Sequence, residues 1–146
     1  MSRTVSPEDL EDDHGGRKEV EYSFTVKLEG VSQEESNSFV EEIDSCMIRT
    51  SPGQLFLYPL DEVDFNGSAG GFLQDILSRY GKVFETAARI GTSREISLAI
   101  YFDANRIAAI CPGFDAAIIR RLADLNFSLE ICVFPSSFED DEGTEE

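Results

Sequence analysis

Tryptophan is absent, histidine occurs once, and no two cysteines have the Cys-x-x-Cys spacing. The single histidine, His14, lies in a polar stretch without periodicity, whereas a catalytic imidazole must be held against its nucleophile. A structural zinc site needs about four ligands, mostly histidine and cysteine at set spacings. We therefore expect no catalytic residue, no metal site and no cofactor.

Long apolar runs are also missing. No segment approaches the ~20 residues of a membrane-spanning helix, and the N-terminus lacks the apolar stretch of a signal peptide. Cys46, Cys111 and Cys132 each lie beside apolar residues, which is typical of small buried side chains in a reducing compartment. These features predict a cytoplasmic protein with buried, unpaired thiols.

Basic residues are scarce. The 146-residue chain has 29 acidic and 12 basic residues, a formal net charge of -17. Residues 19–134 hold 18 acids and 9 bases, a net charge of -9 (9 − 18), so over half of the excess lies within one segment. Nucleic acids and anionic membranes need basic patches, so we expect neither as a partner. The charge favours a basic protein instead.

The length suits a single domain. Residues 1–18 and 136–146 are polar and lack hydrophobic periodicity, which predicts a disordered arm and a disordered acidic tail. Residues 19–135 are expected to form one domain.

The first part of that domain has clear patterns. Val20, Tyr22, Phe24, Val26 and Leu28 alternate with polar residues, which predicts a half-buried strand. Ser32 and Glu35 have capping-box spacing and begin a predicted helix over residues 33–47. A short strand at 55–60 is expected at a sheet edge, because Pro52 and Pro59 limit it.

Further elements follow. Ser68 is expected to cap a second helix, which Gly81 interrupts before the helical pattern continues to Gly91. A strand at 96–102 is expected to be covered on both faces, and a strand at 106–110 is expected to pair back with it as a hairpin. A helix is then expected to begin at Asp115. The last strand is expected to bury Leu129, Ile131 and Val133. The order β-α-β-α-(α)-β-β-α-β predicts an α+β two-layer sandwich, its sheet mostly antiparallel with helices on one face.

Residues 62–67 imitate the start of a calcium loop, but the twelfth position is Leu73 where a bidentate glutamate is needed. A solvated acidic loop is the better interpretation. Gly70 and Gly71 precede a helix but lack the lysine of a phosphate-binding loop.

Residues 94–134 resemble a family of small bacterial domains of unknown function. The resemblance lies in an aliphatic strand, a turn with asparagine, a short strand, a helix ending Leu122-Ala123-Asp124-Leu125-Asn126, and a final strand. Such domains are similar to toxin-immunity proteins, so the resemblance implies a small, acidic, cytosolic and non-enzymatic protein.

We therefore expect a non-enzymatic binding protein, most concretely an immunity protein that neutralises a basic toxin such as a nuclease. An acidic accessory or adaptor module and a DNA-mimic inhibitor are the alternatives. Oligomeric state stays open. The expected binding residues are the acids of the first helix and of the loop that follows the second strand, namely Glu34, Glu35, Glu41, Glu42, Asp44, Asp61, Glu62 and Asp64.

Overall fold

A computed structural model describes residues 19–136; the predicted arm and residues 137–146 of the predicted tail lie outside this range. The described chain forms the predicted α+β fold. Its elements are β1 (Val20–Glu29), α1 (Gln33–Glu42), β2 (Cys46–Ser51), β3 (Gln54–Pro59), α2 (Ala69–Arg79), α3 (Gly81–Ala87), β4 (Ser93–Asp103), α4 (Ala116–Asp124) and β5 (Ser128–Ser136).

The strands form one five-stranded sheet in the order β2-β3-β1-β4-β5. Neighbours are antiparallel except β4 and β5, which are parallel. A parallel pair needs a crossover connection, and α4 lies on that connection. The mostly antiparallel sheet is confirmed.

The hydrophobic core lies on the helix face of the sheet, the face that carries Phe24, Val26 and Leu28. These three side chains are at most 4% exposed, as the alternation in β1 predicts. The Phe24 ring lies 6.4 Å from the Phe72 ring of α2 and 6.3 Å from the Phe84 ring of α3, between centroids. Burying large rings against a sheet in this way adds to the hydrophobic stabilisation that the aliphatic core residues provide.

The open face of the sheet, which carries Thr25, Ser97 and Ala99, is only partly buried. Tyr101 on this face is 36% exposed and stacks on Phe134, with ring centroids 5.1 Å apart. The expectation that β4 is covered on both faces is therefore wrong. Within residues 19–136 no second layer covers its small alternating residues.

The first helix begins as predicted and ends early. Ser32 and Glu35 form the capping box, with 3.0 Å hydrogen bonds in both directions. The helix stops at Glu42 because Ile43 is extended, so the predicted end at residue 47 is wrong. Cys46 and Met47 belong to β2, which joins β3 through Pro52 and Gly53 (φ +77°). Proline followed by glycine is the sequence of a type II turn.

Two other strand predictions need correction. The strand predicted at 55–60 is β3, but it lies inside the sheet between β2 and β1, not at an edge. Residues 106–110 form no strand, because β4 ends in a turn around Asp103. There Asp103 accepts hydrogen bonds from the Asn105 N–H on Oδ1 and from the Arg106 and Ile107 N–H groups on its carbonyl, each 3.0 Å long.

The last strand occupies an edge. Leu129, Ile131 and Val133 share the helix face, but Ile131 is 38% and Val133 42% exposed. The predicted burial of this strand is wrong because no further strand or helix covers its outer side within residues 19–136. Among the cysteines only Cys46 is buried, and Cys111 is exposed, against expectation.

Candidate functional site

The strand directions bring many carboxylates to one end of the sheet. The strand β1 begins at this end, and β4 and β5 finish there, since Val20 pairs with Phe102 and Asp103 with Ser136. The strand β2 also begins there and β3 runs toward it, since Cys46 pairs with Pro59. We call this region the acidic end; its carboxylates are Glu19, Glu21, Asp44, Asp61, Glu62, Asp64 and Asp103.

Among residues 19–136, most basic residues lie away from the acidic end. Lys27, Arg49 and Arg94 are near the opposite end, where β1 finishes and β4 begins. Two acids, Glu29 and Glu95, lie there as well, and Lys27 Nζ is 3.4 Å from Glu29 Oε2. At the acidic end Arg106 is engaged by two carboxylates, with Nη1 3.6 Å from Glu19 Oε2 and Nε 3.6 Å from Asp103 Oδ2. The charge of the sheet is therefore polarised along its strands.

A groove of ≈ 490 Å³ opens at the acidic end. The groove forms where β3 ends at Pro59. Beyond that point the first residues of β1 lie beside the irregular segment 59–65 and not beside a strand. Its lining combines carboxylates with aromatic rings, namely Glu21, Tyr22, Ser23, Pro59, Glu62, Val63, Asp64, Phe65 and Tyr101. We call it the acidic groove.

Aromatic packing fixes the floor of the acidic groove. The Tyr22 ring stacks on the buried Phe72 ring, with centroids 5.1 Å apart, and meets Phe65 edge-on at 6.2 Å. Its hydroxyl donates a 2.8 Å hydrogen bond to the carbonyl of Gly67, which ties the loop to β1. Burial raises the pKa of the Tyr22 phenol, so it stays neutral in the physiological range.

The structure separates the acids of α1 that we expected to bind. Glu41 and Glu42 lie in its last turn and Asp44 follows, so these three are near the acidic end. Glu34 and Glu35 lie in its first turn, at the far end of the helix. Glu35 is also committed to the capping box and accepts a 3.4 Å hydrogen bond from the Gly91 N–H.

The loop acids Asp61, Glu62 and Asp64 join the acidic end, and two of them line the acidic groove. Sequence reasoning missed the other contributors, Glu21 and Tyr101, which lie opposite each other on β1 and β4. Their positions at a strand start and a strand end are visible in the sequence, but their pairing is not.

Neither a metal cluster nor a membrane-spanning helix is found in residues 19–136. No group of three or more histidine, cysteine or acidic side chains is arranged to hold an ion there. No helix of that range is long and apolar enough to cross a bilayer.

Comparison of the chain with family models, with curated proteins and with solved structures finds no match.

Proposed function

We propose that this chain is a non-enzymatic binding protein that captures a basic protein through its acidic end. The observation that carries the proposal is the charge distribution of the sheet, with seven carboxylates against Arg106 at the acidic end and Glu29 and Glu95 beside Lys27, Arg49 and Arg94 near the other end. Such a charge distribution steers a basic partner and orients it before contact.

The acidic groove suits a basic side chain of that partner. A guanidinium ion pairs with carboxylates through its planar fork and stacks on aromatic rings. Glu21, Glu62 and Asp64 supply the carboxylates, and Tyr101 supplies a partly exposed ring. An arginine that enters the groove would meet both kinds of contact.

The end of α1 gives independent support. Glu41 and Glu42 lie in its last turn, where no basic residue is present. Negative charge at a helix C-terminus is unfavourable because the helix dipole is negative there. Residues that cost stability at an exposed position are reasonable candidates for binding residues.

In its most concrete form the proposal is an immunity protein that neutralises a basic toxin. This form draws on the resemblance of residues 94–134 to the bacterial domain family, of which the structure contains the two longer strands and the helix but not the short strand. In the described chain this segment spans β4, α4 and β5. A toxin that acts on nucleic acid needs a basic cleft, which an acidic surface complements.

The test is affinity capture from a lysate of the source organism with three baits. One bait is the unmodified chain, and the second carries Glu21→Gln, Glu62→Gln and Asp64→Asn in the acidic groove. The third carries the same loss of charge away from it, with Glu34→Gln, Glu85→Gln and Asp124→Asn, all exposed positions. We expect a basic protein that the first and third baits retain and the second loses.

The captured protein is then expressed alone and together with this chain. The immunity form predicts that it is toxic alone and harmless together. Equal retention by all three baits, or retention of acidic proteins only, would contradict the binding proposal itself. A basic partner without toxicity would contradict only its immunity form.

A further inference from the structure

Within residues 19–136 no strand pairs with the outer side of β5, and the backbone groups that point outward can be assigned. The Ala104 N–H donates a 2.9 Å hydrogen bond to the Ser136 carbonyl, so Ser136 points its backbone groups toward β4. Alternate residues of a strand point the same way. The residues whose backbone groups point outward are therefore Leu129, Ile131, Val133 and Pro135. Proline has no N–H, and an outward position on an edge strand is one that tolerates it.

This edge carries little of the protection that exposed edges usually have. Ile131, Val133 and Phe134 are 38–43% exposed, and Glu130 is the only charged residue of the nine in β5. The opposite edge, β2, is shorter, with six residues, and carries Arg49 over the Phe56 ring at 4.4 Å. Short length and charge protect an edge, whereas a long apolar edge favours pairing.

We propose that β5 pairs antiparallel with β5 of a second copy, centred on Ile131, and joins the two sheets into one. In this register Ile131 lies opposite Ile131 of the second copy, and Leu129 lies opposite Val133. Each of these three residue pairs exchanges two backbone hydrogen bonds, about six in all. Pro135 lies outside these three pairs, so its lack of an N–H removes no hydrogen bond from the interface.

A second copy fits better than another strand because the two-fold register is self-complementary. On the helix face the exposed Ile131 would meet Ile131 of the second copy, and the exposed Val133 would meet the partly buried Leu129. On the open face Glu130 lies opposite Cys132 and not opposite its own copy, so like charges do not face each other. An isologous contact of this kind closes after two subunits.

Charge also favours the antiparallel direction. Residues 137–146 hold six acids and no base and follow Ser136 in the sequence, and Ser136 itself lies at the acidic end. Antiparallel pairing sets the two Ser136 residues about ten residues apart along the sheet, roughly 34 Å at ~3.4 Å per residue. That distance exceeds the ~8 Å Debye length at physiological ionic strength. The two acidic ends then point in opposite directions, and both grooves stay open.

The first test is sedimentation equilibrium of the full chain over a range of concentrations at low and high salt. We expect a monomer–dimer equilibrium that shifts toward dimer as salt screens the repulsion between two acidic chains. Val133→Pro removes an outward N–H and should raise the dissociation constant about tenfold or more. Met47→Lys, on the exposed side of β2, is the control and should leave it unchanged.

A chain that stays monomeric at every concentration, or a dimer that Met47→Lys disrupts and Val133→Pro does not, would overturn the proposal. Failure of the dimer proposal would not contradict the proposed function, because salt affects the two interactions in opposite directions. Salt should strengthen the dimer but weaken capture of a basic partner.

The second test fixes the register. In a Cys111→Ser background, Glu130→Cys places a thiol opposite Cys132 of the second copy, at a position suited to a cross-strand disulfide. We expect mild oxidation to give a covalent dimer on a non-reducing gel. Ser128→Cys in the same background lies opposite Phe134 and should give none. A covalent dimer with the background alone, or equal cross-linking by both variants, would refute the Ile131-centred register.

Discussion

Leu98 and Ile131 lie opposite each other on β4 and β5, yet they are buried to different extents. Leu98 is 0% and Ile131 38% exposed, because α-helices cover β4 whereas β5 is the edge. We expect Leu98→Ala to lower the free energy of unfolding by about 2–5 kcal/mol. Ile131→Ala should cost about 1 kcal/mol or less, since much of its surface is already in water.

Urea unfolding of the two variants, at a concentration where the chain is monomeric, measures both values. Equal losses would show that β5 is covered by something in the monomer, and the description of a free edge would then be wrong.

Cys46 is the only buried thiol of the described chain, and burial raises its pKa to about 11 from the usual 9.0. The unfolded chain releases this proton near pH 9, whereas the folded chain holds it until about pH 11. Stability that is complete below pH 9 is therefore lost as the pH rises through this range.

The urea midpoint should fall between pH 9 and pH 11, and fall less in Cys46→Ala, which has no thiol to ionise. Burial also raises the pKa of Tyr22 and Tyr80, so a smaller decline should persist in the variant. Parallel curves for the two proteins would show that Cys46 is not the source.

At the scale of elements, α1 depends on its N-terminal cap as well as on the packing of one large side chain. Only Ser36 and Phe39 are buried in this helix, so few tertiary contacts add to the cap. Ser32→Ala removes the hydroxyl that accepts from the Glu35 N–H and should cost about 0.5–2 kcal/mol. Ser38→Ala, an exposed change inside the same helix, should be close to neutral, and urea unfolding separates the two.

The charges of α1 predict a second effect. Glu42→Lys places a positive charge in the last turn and should raise stability by about 0.3–1 kcal/mol at low salt. Glu34→Lys makes the same change in the first turn and should lower stability instead. Thermal unfolding of the pair at low and high salt checks both signs. Equal signs would mean that the helix dipole does not govern these positions.

Local signals predicted the elements whose contacts are local. The alternation in β1 and the caps at Ser32 and Ser68 are confirmed. The predicted interruption is present but falls at Tyr80, since Gly81 begins α3, and α3 ends at Ala87, before the predicted Gly91. The strand β2 was missed because Phe39, Ile43 and Met47 keep helical spacing past the real end of α1. The Pro52-Gly53 dipeptide was the signal that could have revealed the hairpin.

The candidate site shows the same limit. The acids at 61–64 and 41–44 are evident from composition, and the structure brings these two groups toward the same end of the sheet. Glu21 and Tyr101 join the groove only through the pairing of β1 with β4, whose partners are 80 residues apart in the chain. Such long-range register depends on the packing of the whole sheet, which periodicity does not report.

At the scale of the whole molecule, the net charge of -17 does not by itself predict a binding surface. The fold determines where the charged residues lie relative to one another. The strands β1 and β2 begin at the acidic end, and β3, β4 and β5 run toward it. Acids that are far apart in the sequence therefore lie near one another at this end. A uniform acidic surface would serve solubility alone. A polarised surface gives a basic partner a preferred orientation.

The association rate of the captured basic partner, measured over a range of salt concentrations, tests this account most directly. For the unmodified chain we expect fast association that slows steeply as salt is added, because exposed charges are screened beyond ~8 Å at physiological ionic strength. The groove variant (Glu21→Gln, Glu62→Gln, Asp64→Asn) should associate about tenfold or more slowly at low salt. The variant with equal charge loss elsewhere (Glu34→Gln, Glu85→Gln, Asp124→Asn) should stay within roughly threefold of the unmodified chain. A rate that does not depend on salt, or equal slowing of both variants, would contradict the claim that the acidic end is the docking surface.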